Sequence, residues 1–372
     1  MGLPYTVPDL KIRPFEARDL PAVADLYARV ARRETKASAG LVAALDGLLL
    51  KGPPTPPDLP SLVAEEADAI IGFFGIHVRT FAFDGAPIRL AAGAQLVTDP
   101  ASRQGAPGLF LMRRFLEGPQ DLSVADGATA AVRRMWEVLR GETCHVACTR
   151  WTRLLSPLRF AGKMAGRRGG LVGGLARATG PLWAALDVVG RRIPLAKARP
   201  PEPYVTPVPL TAETLVAAMP ELARGFRLRP DYSLPFAQWL FGALAAAKSR
   251  GALHAWAVPG DKGPRGWFLY YLSRDAIASV VSLVAAQGAE DVVLDHLVEH
   301  ARRAGAVAVQ GRLEPPFLPA IARHRSILQY PDAFVLVHSR QPEITHAIQM
   351  GRAILTRIDA EYWMSPHLER YD

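Results

Sequence analysis

The chain has 372 residues, 49% of them hydrophobic and 21% charged, as expected for a folded protein large enough for two domains. Its net charge of +9 is concentrated in the segment 150–199, which has eleven Lys or Arg residues and one acid, Asp187. Such a segment favours phosphate-rich partners, or is a solvated basic linker. No nucleic-acid-binding motif surrounds it, so nucleic acid is not expected as a partner.

Targeting signals and metal motifs are sparse. The N-terminus lacks the pattern of a signal peptide, and charged residues and proline interrupt the most apolar stretch, 171–190. We expect a cytoplasmic protein. The segment 150–199 is the part of the chain expected to make any peripheral contact with anionic membrane. The two cysteines, Cys144 and Cys148, have a spacing around His145 that structural zinc sites do not use, so buried thiols are predicted there.

Local patterns predict the elements of the first half in chain order. A strand at 11–14 precedes an amphipathic helix at 20–30, and a Pro-rich loop follows at 52–60. The turn residues Asp84 and Gly85 then indicate a pair of antiparallel strands.

The second half repeats this order. An offset of 193 positions relates the segment that begins at Lys11 to the one that begins at Tyr204, and nearly the same offset relates Ser61 to His254. A constant offset across separate elements indicates duplication. The predicted organisation is a first domain at 1–149, a basic Gly- and Pro-rich connector at 150–203 and a second domain at 204–372.

A phosphate-binding turn is predicted between a strand that ends at Val97 and a helix that begins near Pro107. The small residues Gly105, Ala106 and Gly108 allow the backbone to approach a ligand closely. Unpaired N–H groups and the dipole of the helix favour an anion at this position.

The run T-D-P-A-S-R-Q-G-A-P-G at 98–108 resembles the acyl-CoA-binding motif of the Gcn5-related N-acetyltransferases. The motif positions fall on Arg103, Ala106 and Gly108, with alanine in place of the first glycine. The resemblance implies two tandem α/β domains, each a mixed, mostly antiparallel sheet flanked by helices, and acetyl-CoA or another acyl-CoA as substrate without a metal. The implied cofactor-binding residues are Leu96, Val97, Thr98, Arg103, Gln104, Gly105, Ala106, Gly108 and Leu109.

The resemblance continues beyond the motif. It implies that the strand Leu122 to Val124 splays from its neighbour and opens the slot for pantetheine. The family's helix-capping Asn and acidic Tyr align with Thr129 and Trp136, and tryptophan cannot serve as an acid. Gln95 stands where some relatives have a glutamate base.

A base therefore has to come from another element. Candidates are Glu34, Glu65 and Glu66. The tandem arrangement is similar to that of the enhanced-intracellular-survival aminoglycoside acetyltransferases, whose terminal carboxylate can act as base, which adds Asp372. Asp359 and Glu361 are interpreted as exposed acids in a closing strand and turn.

The second half lacks the motif, since Glu290 and Asp291 stand where a phosphate would be repelled. The run from His296 to His300 matches an H-x-x-E-H zinc pattern, but its place in the repeat predicts a scaffold helix. Two functions remain. The first is an acyl-CoA-dependent acyltransferase that acts on an amine or hydroxyl of an unidentified acceptor. The alternative is a non-catalytic CoA-binding or scaffold protein that docks on anionic membrane through its basic connector.

Overall fold

The computed structural model describes residues 10–102, 107–167, 204–261 and 263–364. Within them the chain forms two mixed, mostly antiparallel sheets and ten α-helices. The strands are β1 Leu10–Pro14, β2 Leu62–Glu66, β3 Ala69–Phe83, β4 Ala86–Thr98, β5 Leu122–Ala128, β6 Glu142–Thr143, β7 Arg150–Leu154, β8 Val208–Pro209, β9 Leu228–Pro230, β10 Ala252–Val258, β11 Gly266–Leu272, β12 Ile277–Ala285, β13 Ala308–Arg312, β14 Ile327–Gln329 and β15 Phe334–Ser339. The helices are α1 Leu20–Tyr27, α2 Ala39–Leu49, α3 Pro107–Leu116, α4 Ala130–Val138, α5 Pro157–Arg167, α6 Ala212–Leu222, α7 Leu234–Ala246, α8 Glu290–Arg303, α9 Leu318–Arg323 and α10 Pro342–Gln349.

The first sheet has the order β1-β2-β3-β4-β5-β15-β6, with β9 beside β3. Its long hairpin of β3 and β4 turns at Asp84 and Gly85, whose φ values of 50° and 86° are those that a two-residue hairpin turn requires. The predicted turn is confirmed. The predicted helix at 20–30 is shorter than expected, because α1 ends at Tyr27 and a π-helical turn, Ala28–Arg32, follows it.

The second sheet has the order β14-β7-β13-β12-β11-β10-β8. In each sheet one pair of neighbours is parallel, β4 with β5 in the first and β12 with β13 in the second. A strand then lies antiparallel beside β5 and beside β13, namely β15 and β7. The strand orders of the two sheets therefore match, with β8-β10-β11-β12-β13-β7-β14 corresponding to β1-β2-β3-β4-β5-β15-β6.

Each sheet takes a strand from outside its own half of the chain. The predicted connector, 150–203, does not begin at Arg150, because β7 pairs with both β13 and β14 inside the second sheet. The predicted second domain, 204–372, contributes β9 and β15 to the first sheet. The first compact unit comprises the described residues up to Cys144, Arg227–Leu240 and the described residues from Ala333. The second unit comprises the described residues of His145–Phe226 and Phe241–Asp332.

The core of the first unit lies on both faces of its sheet. Phe73 and Phe74 are successive residues of β3 and point to opposite faces. Phe73 packs in a buried cluster with Leu26 of α1 and Leu41 of α2. Phe74 packs in the other cluster, whose members include Leu111 and Phe115 of α3, Trp136 of α4 and Leu336 of β15. No described helix has both the length and the apolar run needed to cross a bilayer.

Because Leu336 is buried among residues of the first half, Leu336→Ala should destabilise the first unit by about 2–5 kcal/mol. The matched control is Leu328→Ala in β14, where the side chain is 49% exposed and the expected cost is less than about 0.5 kcal/mol. Urea unfolding followed by tryptophan fluorescence measures both. Equal unfolding free energies for the two variants would contradict the exchange of β15.

Candidate active site

A cavity of about 300 Å³ lies in the first unit, where β4 and β5 part. The two strands pair from Leu90 opposite Leu122 to Ala92 opposite Val124. Both strands continue beyond that point without pairing with each other, while β4 stays paired with β3 and β5 with β15. The cavity is lined by Tyr27, Ala31, Phe74, Gly93, Ala94, Gln95, Leu96, Val97, Ala125, Asp126, Gly127, Ala128, Thr129, Val132, Trp136, Glu361 and Met364. The strands therefore part, as the resemblance implied, but they do so beyond Val124, because Leu122–Val124 is the stretch that still pairs with β4.

A β-bulge in β4 forms one wall of the cavity. Phe73 pairs with Val97 and Gly75 pairs with Ala94, so two residues of β4 stand opposite the single residue Phe74. The first of them, Gln95, has a φ of 50°. A bulge takes a residue out of the hydrogen-bond ladder and bends its strand, so this wall presents irregular backbone to the cavity.

The side chain of Gln95 is held on both sides. Its Nε2 donates to the carbonyl oxygen of Met364 at 2.7 Å, and its Oε1 lies 3.3 Å from Nε2 of His77. Burial, with the nearby charge of Arg79, lowers the pKa of His77 to about 3, so this imidazole is neutral and donates through Nε2. A Cβ at Gly75 would overlap Oε1 of Gln95, so glycine there leaves room for this arrangement.

The other wall combines the end of β5 with the start of α4. Gly127 has a φ of 112°, which favours glycine, and Thr129 caps α4 by accepting the N–H of Val132 at 3.3 Å. Trp136 lies about two turns further along α4. It is fully buried and donates its indole N–H to the carbonyl of Val337 at 3.0 Å. The residue aligned with the family's acidic Tyr is therefore a buried, hydrogen-bonded tryptophan, which cannot act as a general acid.

The start of α3 lies against the end of β4. Gly108 is buried, and a Cβ added there would lie 3.4 Å from Cγ2 of Thr98 and 3.9 Å from Cε of Met135. Leu96 and Val97 line the cavity, and Leu109 is half-buried in the first turn of α3. The predicted phosphate-binding residues Arg103, Gln104, Gly105 and Ala106 lie outside the described residues.

Glu361 enters the cavity from the C-terminal part of the chain. Its Oε2 accepts the backbone N–H of Asp126 at 2.7 Å. Burial raises the pKa of Glu361 well above its usual range, against the lowering effect of that N–H, and the nearby Asp126 carboxylate raises it further. A partly buried carboxyl group with a raised pKa therefore lines the same cavity as the bulge.

The C-terminal segment 354–364 is held in place by buried polar contacts. Asp359 is fully buried and accepts hydrogen bonds from the Tyr232 hydroxyl and from the N–H and hydroxyl of Thr356, the last two at 2.7 and 3.0 Å. The indole N–H of Trp363 donates to the carbonyl of Ile358 at 3.0 Å. The prediction that Asp359 and Glu361 are exposed acids was wrong. The segment forms the predicted turn, but residues 354–364 form no closing strand.

The sequence-predicted bases do not line the cavity. Glu65 pairs with Arg13 at 2.7 Å, and Glu34 pairs with Arg32 at 2.8 Å. Glu66 accepts a 3.4 Å hydrogen bond from the hydroxyl of Ser102. Asp372 lies outside the described residues. Sequence reasoning missed Glu361, although the dense apolar and aromatic residues on both sides of it were a signal of burial.

In the second unit, the acidic and histidine residues of α8 pair with neighbouring groups. Asp291, in the first turn of α8, pairs with Arg323 of α9. The side chains of the H-x-x-E-H run have separate partners rather than a common centre. His296 bonds to the carbonyl of Val292, and His300 bonds to the hydroxyl of Tyr270. Glu299 pairs with the guanidinium groups of Arg302 and Arg303. The predicted scaffold role agrees with these contacts.

Neither a protein-family model nor a curated protein matches the sequence, whereas solved structures match the fold. A GCN5-related N-acetyltransferase from Kribbella flavida has a TM-score of 0.52 at 16% identity, over 89% of this chain and 71% of that one. The chain has the fold of the GCN5-related N-acetyltransferases. A second such enzyme, from Anabaena variabilis, has a TM-score of 0.55 at 12% identity, over 90% and 73% of the two chains. Saccharomyces cerevisiae N-myristoyltransferase, solved with bound myristoyl-CoA and inhibitors, has a TM-score of 0.51 at 11% identity, over 91% and 80%.

The raised pKa of Glu361 makes a prediction for stability. A carboxyl group whose pKa is raised by folding contributes stability that is complete below its unfolded pKa, about 4.3, and is lost as pH rises through the folded pKa. Glu361→Gln removes this titration, so the unfolding free energy of the variant should gain on that of wild type as pH rises. Urea unfolding at a series of pH values measures the difference. The raised pKa would be contradicted if the two unfolding free energies changed with pH in parallel, or if the wild type became more stable relative to the variant as pH rises.

Proposed function

We propose that this protein is an acyl-CoA-dependent acyltransferase, with acetyl-CoA or another acyl-CoA as donor and an amine or hydroxyl as acceptor. The observation that carries the proposal is the cavity between β4 and β5, which begins where their parallel pairing ends at Ala92 and Val124. An extended thioester arm fits between strands that have separated. Two positions in the walls, Gly93 and Gly127, carry no side chain and leave room for it.

The pyrophosphate of the donor is assigned to the start of α3. The first turn of a helix presents unpaired N–H groups and the positive end of the dipole, which favour phosphate. Gly108 keeps the approach to this turn open beside Thr98. The resemblance of 98–108 to the acyl-CoA motif supports this assignment and adds Arg103, Gln104, Gly105 and Ala106 as its further members.

The reaction is a direct transfer. The acceptor atom attacks the thioester carbon, a new bond forms to that carbon, and the C–S bond breaks with its electron pair passing to sulfur. The bulge at Gln95 and Leu96 supplies the backbone N–H that polarises the carbonyl oxygen, where negative charge develops in the transition state. Because Trp136 cannot protonate the departing thiolate, positioning of donor and acceptor provides most of the acceleration.

Structures that share the fold support the donor class. One is described as a probable N-acyltransferase from Enterococcus faecalis, with a TM-score of 0.53 at 9% identity, and the yeast N-myristoyltransferase was solved with an acyl-CoA bound. At such identities these proteins support a shared use of the cavity and leave the acceptor open.

The non-catalytic alternative rests on the basic segment. In its described part, Arg150 pairs with Asp332 at 3.0 Å and Arg153 is buried inside the second sheet, so neither is offered to a membrane surface. Contact with anionic lipid stays a prediction for the rest of the segment 150–199, as does the cytoplasmic location. Trp136 at the acid position is compatible with either function.

A test of donor binding uses Gly108→Leu. The added side chain begins 3.4 Å from Thr98 and fills the space at the start of α3, so the dissociation constant for CoA should rise at least about tenfold, equivalent to roughly 1.4 kcal/mol. Gly47→Leu is the matched control, since it places the same side chain in a helix where an added Cβ has nothing within 4 Å. Isothermal titration calorimetry measures both. No CoA binding by wild type, or unchanged binding by Gly108→Leu, would reject the assignment.

A further inference from the structure

The charges that line the cavity are unevenly distributed. Among the described residues in its walls, Asp126 of β5 and Glu361 carry carboxyl groups, and none is a lysine or an arginine. Once its carboxyl groups are ionised, a cavity of this kind attracts a cation and repels a carboxylate or phosphate acceptor. An alkylammonium group, which is the form of a primary amine at neutral pH, fits this requirement.

We infer that Glu361 is the general base of the acyl transfer and that the acceptor is a cationic primary amine. This inference rests on the proposed function and narrows it. Glu361 lies in the cavity wall with Gln95 and Leu96 of the bulge, which is where a thioester carbonyl would be polarised. A base has to lie within hydrogen-bond reach of the proton that it removes, and this carboxyl group shares its cavity with the reacting atoms.

The position of Glu361 is fixed from three directions. Asp126 donates its N–H to Oε2 at 2.7 Å, and Gln95 holds the carbonyl of Met364 three residues further along. On the other side Asp359 is anchored to Tyr232 in the interior of the unit. A carboxyl group held between two anchored points of the backbone stays oriented as the acceptor binds, which general-base catalysis requires.

The electrostatic surroundings suit the same role. The titratable groups that line the cavity with Glu361 are Tyr27 of α1 and Asp126 of β5. In its own segment the guanidinium of Arg357 stacks on the ring of Tyr362, 3.8 Å from its centroid. Burial and the charge of Asp126 both raise the pKa of Glu361, which brings its basicity closer to that needed to accept a proton from an ammonium group.

The proton balance is complete without another reactant. The ammonium group gives one proton to the Glu361 carboxylate, and the neutral amine attacks the thioester carbon. The C–N bond forms and the C–S bond breaks with its electron pair passing to sulfur. The second proton lost by nitrogen neutralises the thiolate, so the products are the amide and free CoA thiol. Glu361 then releases its proton to solvent.

The test compares wild type, Glu361→Gln and Glu117→Gln in the full-length protein. Glutamine keeps the shape of Glu361 and an acceptor for the N–H of Asp126, but it cannot take a proton at neutral pH. Glu117 is an exposed acid of the same unit, paired with Arg113, and serves as the matched control. Butylamine, tyramine and spermidine are the probe acceptors with acetyl-CoA, and 1-butanol is the neutral counterpart. Thiol release gives the rate, and calorimetry gives CoA affinity.

We expect turnover with at least one amine and none with 1-butanol. Glu361→Gln should lower kcat by about 100-fold or more, because a general base contributes roughly 10²–10⁴ to the rate, and it should leave CoA affinity within about twofold of wild type. The wild-type rate should rise with pH through an inflection that the variant lacks, since the base works only when deprotonated. Glu117→Gln should match wild type.

Three outcomes would overturn the inference: a Glu361→Gln variant with wild-type kcat and the same pH profile, turnover of the alcohol but of no amine, or no amine turnover by a wild type that binds CoA. Failure of wild type to bind CoA would instead reject the proposed function, and the inference with it. Calorimetry on the wild type separates these two kinds of failure.

Discussion

The early end of the pairing between β4 and β5 is the constraint on which the rest of the first unit depends. Parallel neighbours hydrogen-bond for three residues, up to Ala92 and Val124, and then separate while both strands continue. The bulge at Gln95 bends β4, and Gly127 allows β5 a backbone conformation that other residues disfavour. A sheet that opens in this way exposes polar backbone in its interior, which has to be hydrogen-bonded by a neighbouring segment or by a ligand.

The C-terminal segment 354–364 meets part of that requirement and brings a carboxyl group with it. The cost is a set of buried polar groups in the same unit. Burial lowers the pKa of Arg79 to about 10, while the charge of Asp359 favours the protonated form of Arg79. The centroid of the Phe236 ring lies 4.8 Å from the guanidinium carbon of Arg79. Such a network is stable only as a whole, because loss of one member leaves the others buried without compensation. The same rigidity keeps Glu361 at the bulge.

Local sequence patterns predicted the elements whose signals are local. The Asp84-Gly85 turn, the end of β4 at Thr98 and the start of α3 at Pro107 each depend on neighbouring residues. The exchange of β7 and β15 was not predictable in this way, since pairing between distant strands leaves no periodic mark. Glu361 was misjudged for a related reason: an acid in a turn is usually exposed, and only the tertiary contacts of segment 354–364 bury it.

A structure of the protein with acetyl-CoA tests the central claim most directly. The account predicts that the thioester lies between the bulge of β4 and the Asp126–Gly127 end of β5, with its carbonyl oxygen against backbone N–H groups near Leu96 and with Glu361 facing the carbonyl carbon. The pyrophosphate should lie at the start of α3. Acetyl-CoA bound in the second unit, or bound in the first unit with its thioester outside the gap between β4 and β5, would contradict it.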